Sequence, residues 1–462
     1  MVTLICSVIG IGGLLYLLWI ATDRVALLGR PYETLNRVIG AELDSAEVAD
    51  KLAPWERTLA AATGFTPDKS LKRAINAYRE YDQKFPREGA EDTLIVLLLE
   101  AGQTQKASEI LNRQSELDVE FELAICALYS IPVPEKRWPI SIERDPAYSF
   151  QHVVDNIDLP WAKDRLALRI AEKDKDAQAI AKARAAMERR GLAIQKRTAQ
   201  VEGYLLGVLG LGLIACIAWC AQRFPDLTLA PGIVVAPWNF GLAYAVFIRA
   251  EILGGIAVLL ASLSAEFLPA LNGFTTLISA IPLLFLVSYF FSIPWRRALF
   301  GTFGLDILPG RWLRLIQVTS MIACVNLAGT VLLSALMQKA GFEMHWAETV
   351  PEEFLWGSRY TVALQTLDMV LWAPIFEELL FRGFVFVTLR RYMPMLPSAL
   401  LTALLFSVVH GYSPVGFVVV AWSGLLWSIS YEKTRSLAPG MIDHALNNAL
   451  VTAVVTLTYR PV

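Results

Sequence analysis

The chain has 462 residues, of which 55% are hydrophobic, and a formal net charge of −2; its mean hydropathy is +0.46. So apolar a composition at this length excludes an ordinary soluble globular protein, and the absence of a basic excess excludes nucleic acid as a partner. The expected fold class is all-α: a polytopic helical membrane protein with the lipid bilayer as its first partner.

Residues 2–21 form one apolar run without a basic leader or a small-residue cleavage site before Asp23. Residues 1–21 are therefore expected to be an uncleaved transmembrane anchor. From Thr22 to about Gln200 the composition turns to mixed charge with helical periodicity, punctuated by Pro54, Pro67, Pro86, Pro132, Pro134 and Pro139. This pattern predicts an inserted soluble α-helical domain over 22–200. Within it, LKRAINAYREYDQKFP and EDTLIVLLLEAGQTQKASEILNRQ are similar to a tetratricopeptide-type helix pair, although the full consensus is not met. A protein partner for this domain is expected on that ground. Leu94, Ile95, Leu97 and Leu98 are expected in its core. Residues 171–200 are expected to form a charged helix running into the next apolar segment.

The membrane domain is expected over 201–462, with about eight spans at 203–221, 240–262, 273–293, 313–337, 360–389, 398–410, 415–431 and 440–459. Arg249 and Glu251 interrupt the second and are expected to snorkel or kink the helix. Arg296, Arg297, Arg311, Arg314, Arg390, Arg391, Lys433 and Arg435 sort to one side, whereas Glu343, Glu348, Glu352 and Glu353 fall on the other. The excess of basic residues places the first group in the cytosol and, counting back through the spans, the 22–200 domain outside, whereas Arg24, Arg30, Arg189, Arg190, Lys196 and Arg197 near the ends of that domain favour the cytosol. Localisation is accordingly a multi-pass membrane protein, in the inner membrane if the source is bacterial. The five cysteines show neither paired nor metal-ligand spacing.

Three charges, Glu377, Glu378 and Arg382, lie inside the fifth span. Each central charge opposes insertion by about 2.5–3.5 kcal/mol unless it pairs or meets water. Arg382 follows Glu378 by one helical turn and can pair with it, whereas Glu377 points about 100° away. An unpaired intramembrane carboxylate marks a reaction or transport site. Two further polar intrusions follow, Phe406 with His410 and His444 with Asn448, each pair four residues apart. A carboxylate in a dry site suits a general base, an imidazole can share that role, and an amide can donate to an oxyanion. Glu377, His410 and His444 also make a possible zinc set, but no H-E-x-x-H motif is present.

These residues resemble the CAAX prenyl protease and bacteriocin-processing family of membrane endopeptidases, also called the ABI family. Glu377, Glu378 and Arg382 match its E-E-x-x-x-R motif, Phe406 and His410 its F-x-x-x-H, and His444 and Asn448 its H-x-x-x-N. The resemblance places a protease core at about 360–458. It implies that Glu377 and His410 activate water, that His444 and Asn448 stabilise the oxyanion, and that Glu378 assists while Arg382 holds the glutamate helix. The substrate would be a membrane-associated protein or peptide, and no cofactor is expected, with zinc the alternative. A scaffold without catalytic activity is the competing class, and a transporter, which lacks support from any internal repeat, is third.

Overall fold

The computed structural model describes residues 28–461 except 63–65, 87–89, 114–118, 133–145, 224, 265–270, 272–273, 292–300 and 349. Before residue 28 it describes only Thr3, Ile5, Cys6, Ser7, Gly12 and Val25. The expected anchor at 1–21 therefore lies almost wholly outside the described residues, as do Arg296 and Arg297. Among the described residues every regular element is helical, with no strand. The chain divides into two compact units, 28–199 with 457–459, and 200–456 with both terminal segments.

The first unit contains α1 (Pro31–Glu47), α2 (Pro54–Ala62), α3 (Pro67–Lys84), α4 (Ala90–Glu100), α5 (Thr104–Arg113), α6 (Val119–Tyr129), α7 (Pro146–Asn156) and α8 (Pro160–Asp174). Five of these begin on proline, which fits the first helical turn because its missing N–H has no intrahelical acceptor there. Pro54 and Pro67 thus open helices and do more than break them. α4 is buried from Ala90 to Leu99 apart from Glu91 and Asp92, so the Leu94–Leu99 run forms the centre of the unit. Leu35 and Ile39 of α1 and Ile75, Tyr78 and Tyr81 of α3 are buried as well, and α3, α5 and α8 pack against α4. A 45-residue helix, α9 (Ala177–Ala221), starts in this unit and continues into the next. Its charged part is more than a wet face: Arg190 bonds Asp44 Oδ2 at 2.8 Å and also reaches Asp164.

The second unit holds α10 (Phe240–Ser264), α11 (Thr275–Phe291), α12 (Trp312–Lys339), the short α13 (Glu352–Trp356), a segmented helix from Arg359 to Arg390, α17 (Met395–His410), α18 (Pro414–Thr434) and α19 (Ala438–Tyr459). Among the described residues four helices, α9, α10, α12 and α18, are long and apolar enough to cross a membrane. Their outward faces are apolar: Leu213, Ile214, Leu259, Leu263, Leu313 and Ile316 are each more than half exposed. Water would oppose that surface and lipid accepts it, so this is a helical membrane protein. Arg249 turns to Thr3 Oγ1 at 3.1 Å and to the Phe290 ring.

The fifth apolar stretch, expected as one span, departs from a continuous helix. It reads α14 (Arg359–Leu367), a π-helical turn (Asp368–Trp372), α15 (Ala373–Glu378), a second π-helical stretch (Leu379–Phe386) and α16 (Val387–Arg390). Pro374 explains the first interruption. It has no N–H to donate and its ring presses on the preceding turn, so the ladder widens and Ala373 N–H bonds Asp368 O, five residues back.

Burial, with the facing Asp82 next, raises the Glu91 carboxyl in α4 from its ordinary 4.5 to about 7. The folded state then holds a proton that the unfolded state releases, so local stability is greatest below about 4.5 and is lost as pH rises through about 7. Hydrogen exchange in α4 of the full-length protein, corrected for intrinsic rates, should accelerate over that interval. Glu91→Gln should flatten the profile.

Candidate active site

The segmented helix, α17, α18 and α19 surround the polar motif residues. Arg382 Nη1 donates to Glu378 Oε1 at 2.7 Å, and the two side chains are 0% and 1% exposed. The remaining guanidinium nitrogens, Nε and Nη2, have no hydrogen-bond acceptor. They face aromatic rings instead: the Arg382 Cζ lies 4.4 Å from the Phe406 ring centre and 5.0 Å from that of Trp427. In a dry site such cation–π contacts offset part of the desolvation. Gly424 of α18 permits the approach, since a Cβ there would stand 2.8 Å from Arg382 Nη2.

His444 lies between the two glutamates. Its Nδ1 is 3.3 Å from Glu378 Oε1 and its Nε2 is 3.7 Å from Glu377 Oε2. A neutral imidazole has a single N–H, so these two contacts leave one proton to be shared within the group. Glu377 is the more accessible carboxylate, with a side chain 28% exposed. Its Oε2 is buried without a hydrogen bond. The expectation that Glu378 pairs with Arg382 while Glu377 does not agrees with this geometry.

His410 joins the group through Phe406. The Phe406 ring meets His410 at 4.7 Å and His444 at 5.9 Å, edge to face in both cases. His410 Nδ1 lies 2.7 Å from Phe406 O, the carbonyl one turn back in α17. A carbonyl accepts only, so Nδ1 carries the hydrogen and Nε2 is left as the basic nitrogen.

Asn448 is engaged differently from the sequence expectation. Its Nδ2 donates to Met369 O at 2.8 Å. In the widened turn that carbonyl would look to residue 374 for a donor, and proline has none. Asn448 fills the role from α19 and retains a second N–H. Asp368 in the same turn accepts from Thr276 N at 3.2 Å and Thr276 Oγ1 at 2.9 Å, at the start of α11.

Asp443 is visible in the sequence as an acid beside His444, but the partners that hold it are not. Asp443, 3% exposed, accepts from Trp427 Nε1 and Asn326 Nδ2, and Trp427 stacks on His444. No local pattern marks Asn326, which stands 117 positions from Asp443. Among the described residues no three His, Cys, Asp or Glu side chains are grouped as a metal would require.

A family model described as type II CAAX prenyl endopeptidase, Rce1-like, matches residues 359–450. The matched stretch starts at the first residue of α14, ends in α19 and contains all six polar motif residues. Comparison with curated proteins and with solved structures gave no match.

Arg382→Met would leave Glu378 buried without its guanidinium partner, and should destabilise the protein by about 3–5 kcal/mol. Gly424→Ala crowds the guanidinium and should destabilise it by about 1–3 kcal/mol. Unfolding of the purified protein in mixed detergent micelles measures both.

Proposed function

We propose that the protein is an intramembrane endopeptidase that hydrolyses a peptide bond of a membrane-associated protein or peptide with water activated at Glu377. The observation that carries this reading is the asymmetry of the glutamate pair. Glu378 is fully buried against Arg382 and His444, whereas the Glu377 side chain is partly open and has no guanidinium partner; one oxygen of each carboxylate is left without a hydrogen bond. The match of residues 359–450 to a prenyl endopeptidase family supports the same chemistry.

In this mechanism Glu377, with His410 Nε2, takes a proton from water as the water oxygen bonds to the scissile carbonyl carbon. The tetrahedral oxyanion accepts from His444 and from the second N–H of Asn448. Collapse breaks the C–N bond, and Glu377 returns the proton to the departing amine. Glu378 and Arg382 hold the helix and His444 in place. The competing scaffold reading requires no water at Glu377.

The reading is metal-free, since each candidate zinc ligand has a role with water or oxyanion. It is multi-pass, with the basic connections in the cytosol and the 28–199 unit on the opposite side. A bacterial source would place it in the inner membrane.

Comparing membrane and secreted peptides from cells carrying the wild type or Glu377→Ala tests the activity. Peptides should disappear in the variant while the protein still inserts, and identical profiles would favour the scaffold. Asn448→Ala should lower kcat/KM by about 10²–10³-fold, through the lost oxyanion donor and the orphaned Met369 carbonyl. Purified active protein should contain far less than stoichiometric zinc and survive chelation. For topology, Cys126 is 2% exposed and unsuited to labelling, so Gln105→Cys, on the exposed side of α5, is the better probe. An impermeant thiol reagent should label it in intact cells; labelling only after lysis would reverse the orientation.

A further inference from the structure

Asp443 has no role in the chemistry above, yet it is a carboxylate only 3% exposed inside a membrane unit. One oxygen, Oδ2, accepts two hydrogen bonds, from Trp427 Nε1 at 2.7 Å and from Asn326 Nδ2 at 2.9 Å. Asn326 is itself held, its Oδ1 accepting from Ser423 Oγ at 2.8 Å. The indole that Asp443 holds lies nearly flat on the His444 imidazole, with ring centres 4.2 Å apart and planes 17° apart.

Asp443 and His444 are consecutive on α19 and so project about 100° apart. The helix sends the imidazole toward the glutamates and the carboxylate toward α12 and α18. There the carboxylate grips the ring that covers the imidazole. The edge contacts of His444 with Glu377 and Glu378, at 3.7 and 3.3 Å, restrain the ring within its plane. They do little against a tilt about the line joining its two nitrogens. A flat indole behind the ring opposes that tilt, provided the indole itself cannot rotate. The Nε1–H to Asp443 bond blocks that rotation, because rotating would leave a donor and a carboxylate unpaired in a dry site.

We propose that Asp443 and Trp427 are positioning residues for His444: the carboxylate fixes the indole, and the indole sets the angle at which the imidazole lies between the two glutamates. The kinetic consequence rests on the endopeptidase reading; the orientation of His444 does not.

Three substitutions separate positioning from simple satisfaction of buried donors. Asp443→Asn removes the charge but keeps an oxygen that can accept both bonds. Asp443→Leu is close in size and removes the acceptor. Trp427→Phe keeps an aromatic face and removes the donor. The readout is the carbon-labelled imidazole signal of His444 in the full-length protein in micelles, assigned by its loss in His444→Gln. The wild type should give one narrow resonance displaced by the stacked indole. Asp443→Asn should keep that resonance and a kcat within about threefold of wild type, whereas Asp443→Leu and Trp427→Phe should shift or broaden it and lower kcat by about 10–100-fold with KM little changed. A folded Asp443→Leu with an unmoved His444 signal would overturn the proposal, as would an Asp443→Asn variant as damaged as Asp443→Leu. Should Asp443→Leu not fold, a Trp427→Phe variant with a narrow His444 signal and unchanged kcat overturns it equally. A wild type that cleaves nothing counts against the endopeptidase reading alone, and the imidazole signal still decides the positioning.

Discussion

A guanidinium with no exposed surface, embedded in a membrane unit, is the constraint around which the second unit is built. Arg382 cannot shed its charge and has no water to meet, so its surroundings must supply every compensation. Glu378 supplies the opposite charge at 2.7 Å, Phe406 and Trp427 supply two ring faces, and Gly424 supplies the room. These groups come from the segmented helix, α17 and α18. A single ion therefore fixes three elements relative to one another. In lipid, where apolar burial between helices contributes little, such polar anchoring and close packing specify the arrangement.

The same helix shows how a backbone defect is absorbed. Pro374 removes one donor from the ladder, the preceding turn widens, and Met369 O is left without an intrahelical partner. Asn448 reaches across from α19 to take that carbonyl at 2.8 Å. The distortion thereby ties the turn preceding the glutamates to the helix that carries His444. Asp368, held by Thr276, ties the same turn to α11. An interrupted helix is tolerated in an apolar setting when neighbouring side chains re-satisfy its freed groups, as Asn448 does here.

Helical segments correspond to all eight apolar stretches read from composition, and the pairing of Glu378 with Arg382 follows from their i,i+4 spacing. Both are short-range signals, carried by hydropathy or by one turn of helix. Within the 359–390 stretch, continuous apolar character hid two π-helical interruptions, although Pro374 was a visible cause of the first. Asn448 was legible as a polar residue sharing a face with His444, but its bond to Met369 spans 79 positions. Trp427 was illegible for another reason. In a chain this rich in aromatic residues, a tryptophan that stacks on a histidine has the same local pattern as one that faces lipid. In the first unit, the single charged helix expected over 171–200 is broken at left-handed Lys175, and the solvated appearance of its second part, in α9, concealed Arg190, whose partners lie in α1 and α8.

The glutamate pair shows why two adjacent carboxylates do not duplicate one another. On a helix, neighbouring residues diverge by about 100°, so the same turn can present one carboxylate to the protein interior and the next to the opening. Glu378 faces inward and is consumed by structure: it neutralises Arg382 and aligns His444. Glu377 faces the partly open side, with its side chain 28% exposed. A base must be able to gain and lose a proton during turnover without releasing the fold. Under the proposed reading Glu377 suits that role better, because Glu378 is the carboxylate that Arg382 Nη1 holds at 2.7 Å. The division of labour therefore follows from which of the two neighbours the arginine, four residues on, can reach.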